Sequence, residues 1–226
     1  MVPTAQLLKD AGSALIFKFS GASDDRTEAV KARILKAIEG VPVDTFTGLA
    51  DDVIPKLLDG VRREARGLID LHTDAGRSTY IVSASPVEIV GKFADAMEMT
   101  GGIGTVSEIA DGVYTGELAA AFCYGEGKAE AIAAVAEAEG YDLSHSYAYT
   151  DSAGDLPMLE IVGHPVAVNP DKALEAIAYH RGWPIVEFSR TRKRVVKRTT
   201  AATGAVVLGG ATYALGRRHG RLRAVN

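Results

Sequence analysis

Apolar positions recur at helical spacing through most of the first 75 residues and at strand-like spacing after them. Leu7, Leu8, Ala11, Leu15 and Phe19 follow a helical period over residues 4–19, although the run Ala14 to Phe19 reads equally as a strand, because short apolar runs do not distinguish the two. Ser23-Asp24-Asp25 is a helix start, and Val30, Ile34, Leu35 and Ile38 continue it to Gly40. Leu49, Val53 and Leu57 share one face of a predicted helix over Phe46–Leu58; Ala65, Leu68 and Leu71 share one over Val61–Thr73. The period then changes. Ser78-Thr79-Tyr80-Ile81-Val82 is β-branched and aromatic and gives way to Ser83-Ala84-Ser85-Pro86. A helix follows over Val87–Met97. Gly101 to Val106 and the run ending Tyr114-Thr115-Gly116 read as a strand pair turning at Asp111-Gly112. An Ala-rich helix opens at Lys128, a strand at Ala148 and another at Val166, with helices between and after, and Pro184-Ile185-Val186 closes the alternation. Strands alternating with helices predict an α/β fold with a parallel sheet.

Charge divides the chain. The whole carries −4, yet residues 190–226 hold ten Arg and Lys and no Asp or Glu, which leaves −14 on the first 189 residues. An acidic body and a basic tail suit different partners. The single cysteine, Cys123, excludes an intrachain disulfide and reads as a small buried apolar residue. The N-terminus shows no basic segment followed by an apolar core, so no secretion signal is expected and the body is placed in the cytoplasm.

Tyr147 to Glu160 is the stretch richest in chemistry. Ala148-Tyr149-Thr150 delivers Asp151-Ser152-Ala153-Gly154-Asp155, two carboxylates four residues apart where a strand meets a turn of small residues. Mg²⁺ takes oxygen ligands, commonly one or two carboxylates, and leaves its other positions to water and phosphate. The same residues also suit a plain helix cap, and on this stretch alone the two readings stand level. Ser83 follows a strand and has small residues after it, so its hydroxyl and the next backbone N–H groups suit phosphate oxygens. Lys128 opens a helix, where an ammonium neutralises phosphoryl charge. The remaining histidines, including His72, His145, His164 and His180, lack metal-ligand spacing and read as packing or surface residues.

In this order the pieces resemble the haloacid dehalogenase (HAD) superfamily, in particular its phosphoserine-phosphatase-like subclass. The resemblance rests on Tyr80 to Pro86, on Gly125-Glu126-Gly127-Lys128-Ala129, on Tyr149 to Leu159, and on Gly163 to Asp171 and Arg181-Gly182-Trp183-Pro184. It implies a Rossmann-like core over 76–189 beneath a helical cap over 1–75, and Mg²⁺-dependent hydrolysis of a small phosphorylated substrate. Ser83, Ala84 and Ser85 would hold the phosphoryl group and Lys128 its charge. Asp151 would ligate the metal, with Asp155 supporting it. The resemblance also implies a first motif, a strand ending in Asp-x-Asp-x-Thr, whose first Asp attacks phosphorus. The 226 residues contain no Asp-x-Asp pair, and the one strand-like run upstream of Ser83 would put Lys18 and Ser20 there. Lys18 cannot form an aspartyl-phosphate, and Ser20 is no comparable proton shuttle. The expectation is a core without its central nucleophile strand, and no turnover by the chain as written. A start codon set too far downstream is the expected origin; a shortened gene and a non-catalytic phosphoryl-binding protein are the alternatives.

Thr199 to Gly216 is an 18-residue run without charge between Arg198 and Arg217, only mildly apolar because of four Gly and four Thr. As a helix it would span about 27 Å against a hydrocarbon core of roughly 30 Å. The segment is a candidate membrane anchor, favoured narrowly over a Gly/Ala-rich solvated tail. Its basic flanks suit an anionic membrane surface. Nucleic acid is not expected, because no aromatics interleave the basic run, and no obligate protein partner is evident.

Overall fold

The computed structural model describes residues 35–188 together with Glu28, Lys31 and Ala32. The expected helix over 4–19, its strand alternative and the whole 190–226 tail lie outside the described residues. The chain falls into two compact units, Met1–Val186 and Glu187–Asn226, and every described helix and strand belongs to the first.

Among the described residues, Glu28, Lys31, Ala32 and residues 35–38 are helical, and they are followed by α1 (Val43–Gly60) and α2 (Arg63–Asp74). Then come β1 (Tyr80–Pro86), α3 (Val87–Ala96), β2 (Gly101–Thr105), β3 (Ser107–Ala110), β4 (Val113–Leu118), α4 (Glu126–Glu139), β5 (Tyr147–Thr150), α5 (Leu156–Glu160), β6 (His164–Val168), α6 (Lys172–Arg181) and β7 (Ile185–Val186). The α/β alternation follows the sequence pattern closely. The expected pairing of the Gly101 run with the Tyr114 run is corrected in one respect: Gly101–Thr105 leaves the hairpin and pairs in parallel with β1. The hairpin is β3 with β4, and its turn is the expected Asp111-Gly112, both at positive φ (50° and 77°). That geometry is the two-residue turn whose twist matches the flanking strands.

Glycine explains why β2 sits where it does. A Cβ on Gly102 would lie 2.7 Å from the Val90 backbone, and one on Gly104 2.7 Å from Val87 Cα. Helix α3 therefore lies directly on β2, at a separation only Gly allows. A core of Leu35, Ile38, Ala50, Ile54, Ile89 and Tyr114 joins the first helices to α3 and the hairpin. A second core of Ala148, Met158, Leu159, Ala167, Leu174 and Ala178 seals β5 and β6 against α5 and α6.

The parallel strands form two groups, β1–β2 and β5–β6–β7, and among the described residues no strand pairs with the remaining edge of β1 or of β5. A groove of about 540 Å³ is lined by residues of both strands and of the helices beside them, among them Val82, Ile103, Ile132, Tyr149, Asp155 and Met158. No helix among the described residues is long and apolar enough to cross a membrane, and the candidate span 199–216 lies outside them.

Candidate phosphate and metal site

Strand β1 does not stop at Ser83 but runs to Pro86 through an irregularity. Val82 pairs with Ile103 and Pro86 with Thr105, so Ser83, Ala84 and Ser85 face Gly104 alone. A bulge of this kind lifts residues out of the ladder and re-aims their backbone groups. Ser85 N donates to Ser83 Oγ (3.2 Å), and Thr105 Oγ1 donates to the Ala84 carbonyl (2.8 Å), fixing the bulge from both sides. The three residues proposed for phosphate thus form one local cradle.

Lys128 lies in the first turn of α4, behind Gly125 at φ 55°. It is only 7% exposed. An isolated ammonium at that depth would cost several kcal/mol in lost hydration, so it must have a partner. The partner is Asp155, whose Oδ1 accepts from Lys128 Nζ at 2.5 Å. Asp155 Oδ2 accepts from Thr150 Oγ1 at 2.6 Å, so both carboxylate oxygens are engaged. Cys123 connects this pair to the cradle. Burial pushes its thiol up in pKa; Lys128 and the Ser83 backbone N–H, which donates to the thiol, pull it down, and Asp155 raises it. The Ser83 backbone, Cys123, Lys128 and Asp155 therefore share one neighbourhood at the end of β5.

The turn after β5 divides its duties. Ser152 does the capping: its side chain accepts from Gly154 N (3.2 Å) at the head of the 3-10 turn Ala153–Asp155. Asp155 stands at the N-cap of α5 without a side-chain capping bond and turns its carboxylate to Lys128 and Thr150 instead. Asp151 is exposed at the tip of the strand, and its carbonyl accepts from Asp171 N at 2.8 Å. Asp171 is a brace that sequence reasoning left without a role. Its Oδ1 accepts from Leu174 N (2.8 Å) and caps α6, while Oδ2 accepts from Ala153 N (3.0 Å) and holds the Asp151–Asp155 turn. Thr150 was missed as well. Its position directly before Asp151 was visible, but its bond to Asp155 depends on how the turn closes.

The donor set suits Mg²⁺ in kind, since it consists of hard carboxylate oxygens at a strand end. Asp151 would be the direct ligand and Asp155 would act from behind, consistent with a cation that takes few protein ligands. No cluster of three His, Cys, Asp or Glu side chains occurs among the described residues.

The sequence profile of the haloacid dehalogenase-like hydrolases matches residues 2–160. A probable phosphatase of Mycobacterium tuberculosis is 42% identical over 224 residues, covering 94% of this chain and 78% of that protein. A phosphoserine phosphatase of the same organism is 36% identical over 191 residues, 84% of this chain and 62% of the relative. Among solved structures, a Bordetella pertussis protein of unknown function superposes with a TM-score of 0.65 at 25% identity, over 79% of each chain. A substrate-bound phosphoserine phosphatase superposes with a TM-score of 0.56 at 16% identity, over 85% of this chain and 89% of that one, and shows the shared fold.

Proposed function

The chain belongs to the haloacid dehalogenase-like hydrolase family, and from that premise we propose that its site is that of a Mg²⁺-dependent phosphomonoester hydrolase acting on a small phosphorylated substrate. The observation that carries the reading is the buried Lys128–Asp155 pair beside the Ser83 bulge. An ammonium held in place before any ligand arrives stabilises phosphoryl charge without reorganising. Ser83, Ala84 and Ser85 offer a hydroxyl and backbone N–H groups to the phosphoryl oxygens. Asp151 supplies the metal carboxylate, and Asp171 and Ser152 keep it at the strand tip. Bound Mg²⁺ would add Lewis-acid stabilisation of the phosphoryl oxygens. Helices α1 and α2 belong to the proposed cap, whose closure would exclude water. The mycobacterial phosphoserine phosphatase makes phosphoserine the first substrate to try.

Hydrolysis of this type needs a carboxylate nucleophile, and the 226 residues contain no Asp-x-Asp pair. The chain as written therefore binds phosphoryl ligands without turning them over. In this reading the nucleophile strand of a complete site would occupy the groove lined by residues of β1 and β5. The test is hydrolysis of p-nitrophenyl phosphate and phosphoserine by purified residues 1–226, with and without MgCl₂. No metal-dependent turnover is expected, whereas robust turnover abolished by Asp151→Asn would overturn the reading.

The charge division supports a second reading, a non-catalytic phosphoryl-binding protein held at a membrane by residues 190–226. Nucleotide sequence upstream of Met1 separates the two. An in-frame Asp-x-Asp-x-Thr after an apolar run supports the enzyme, and a stop codon supports the binder.

A further inference from the structure

Beside β5 stands a cluster that the phosphatase reading does not use. His72, near the C-terminus of α2, is 9% exposed. Its Nε2 lies 2.8 Å from the Tyr149 hydroxyl, and its Nδ1 lies 3.3 Å from Arg77 Nη1. A guanidinium only donates, so Nδ1 must be the bare nitrogen and Nε2 must carry the hydrogen given to Tyr149. Both ring nitrogens are thereby committed in the neutral form. A proton on Nδ1 would remove the Arg77 bond and set an imidazolium against a guanidinium 3.3 Å away.

His72 and Arg77 line the groove that Asp142, His145 and Asp155 also line, and neither makes an ion pair with a carboxylate among the described residues. From β5, Tyr147 and Tyr149 face the imidazole with ring centroids at 5.0 and 5.6 Å. From the turn after α2, Arg77 faces it and also lies 5.2 Å over the Tyr147 ring, which in turn stacks on His164 at 4.4 Å. Asp70 and Asp74 on the same helix are exposed. Arg77 N also donates to the His72 carbonyl (3.0 Å), so the arginine wraps the helix end it guards.

We propose that His72, Arg77 and Tyr149 form a proton-sensitive latch that fastens the end of α2 to strand β5 and releases it when His72 takes up a proton. The direction agrees with the electrostatics: burial first and Arg77 second lower the His72 pKa below 6.5. With the folded value depressed, an unfolded chain takes its proton first. Stability is whole above 6.5, falls as pH drops from there to the folded value, and levels off below it. Tyr149 stands two residues before Asp151, so release loosens the strand that presents the site. The latch does not depend on the phosphatase reading.

The test uses purified residues 1–226 and follows urea unfolding from pH 7.5 to pH 5, alongside the histidine Cε1–H resonances by NMR. The wild-type midpoint should fall on acidification, and the His72 resonance should titrate below 6.5. His72→Gln donates and accepts like the neutral ring without titrating. It should match the wild type at pH 7.5 and lose less on acidification. Should that variant not fold, Arg77→Gln keeps a donor, drops the charge and should move the His72 midpoint upward. A His72→Gln chain with the wild-type acid loss, a His72 midpoint at or above 6.5, or a midpoint unmoved by Arg77→Gln would each overturn the latch.

Discussion

Lys128 and Asp155 hold each other in a place where neither would stay alone. Their side chains are 9% and 16% exposed, so removing one charge leaves the other with neither hydration nor a partner. Lys128→Met should therefore cost about 3 kcal/mol, the scale for breaking a buried pair. The double variant Lys128→Met, Asp155→Asn should recover most of it, because an amide oxygen still accepts from Thr150. Urea midpoints of the two variants check this, and equal losses would mean that the pair contributes packing rather than charge. In the sequence, Lys128 opens a helix and Asp155 lies in a turn, which alone suggest a solvated cation and a cap. Their pairing across 27 residues appears in no local spacing, and only the family resemblance brought them together. Thr150 and Asp171 escaped for the same reason, since each acts through a bond that exists only once the turn after β5 has closed against α6.

Elements were legible where side chains alternate or recur. β1 and β5 announce themselves by β-branched and aromatic residues, and the helices from Val43 to Asp74 by their apolar stripes. β2 was misjoined because Gly101-Gly102-Ile103-Gly104 has almost no side-chain pattern to read. What places that strand is the absence of side chains, which lets α3 approach. Gly104→Ala puts a methyl 2.7 Å from Val87 Cα and 2.8 Å from the Ser85 carbonyl, both backbone atoms that cannot swing aside. The strain should cost about 1–3 kcal/mol and disturb the Ser83–Ser85 bulge opposite. Gly91→Ala, on α3 itself, meets nothing within 4 Å and should gain up to about 1 kcal/mol from helix propensity. Thermal unfolding of the two variants should move in opposite directions; a harmless Gly104→Ala would mean the two elements are free to separate.

For the molecule as a whole, the uneven charge is the feature with consequences beyond the site. A body at −14 is repelled by an anionic bilayer, whereas the segment from Arg190 onward carries ten basic residues and an uncharged run of 18. Each basic residue held near an anionic surface contributes about 1 kcal/mol, within a Debye length of roughly 8 Å at physiological salt. Electrostatics alone would thus give binding that high salt reverses. Insertion of 199–216 would add a component that salt and alkaline carbonate leave in place. Expressed in cells and fractionated, residues 1–226 should remain with the membranes through a carbonate wash, while a chain ending at Ser189 should be released. Release by salt of the full chain would assign the attraction to the basic residues only. Recovery of both chains in the soluble fraction would leave the tail without a membrane role and the phosphoryl site as the chain's one proposed point of contact with a ligand.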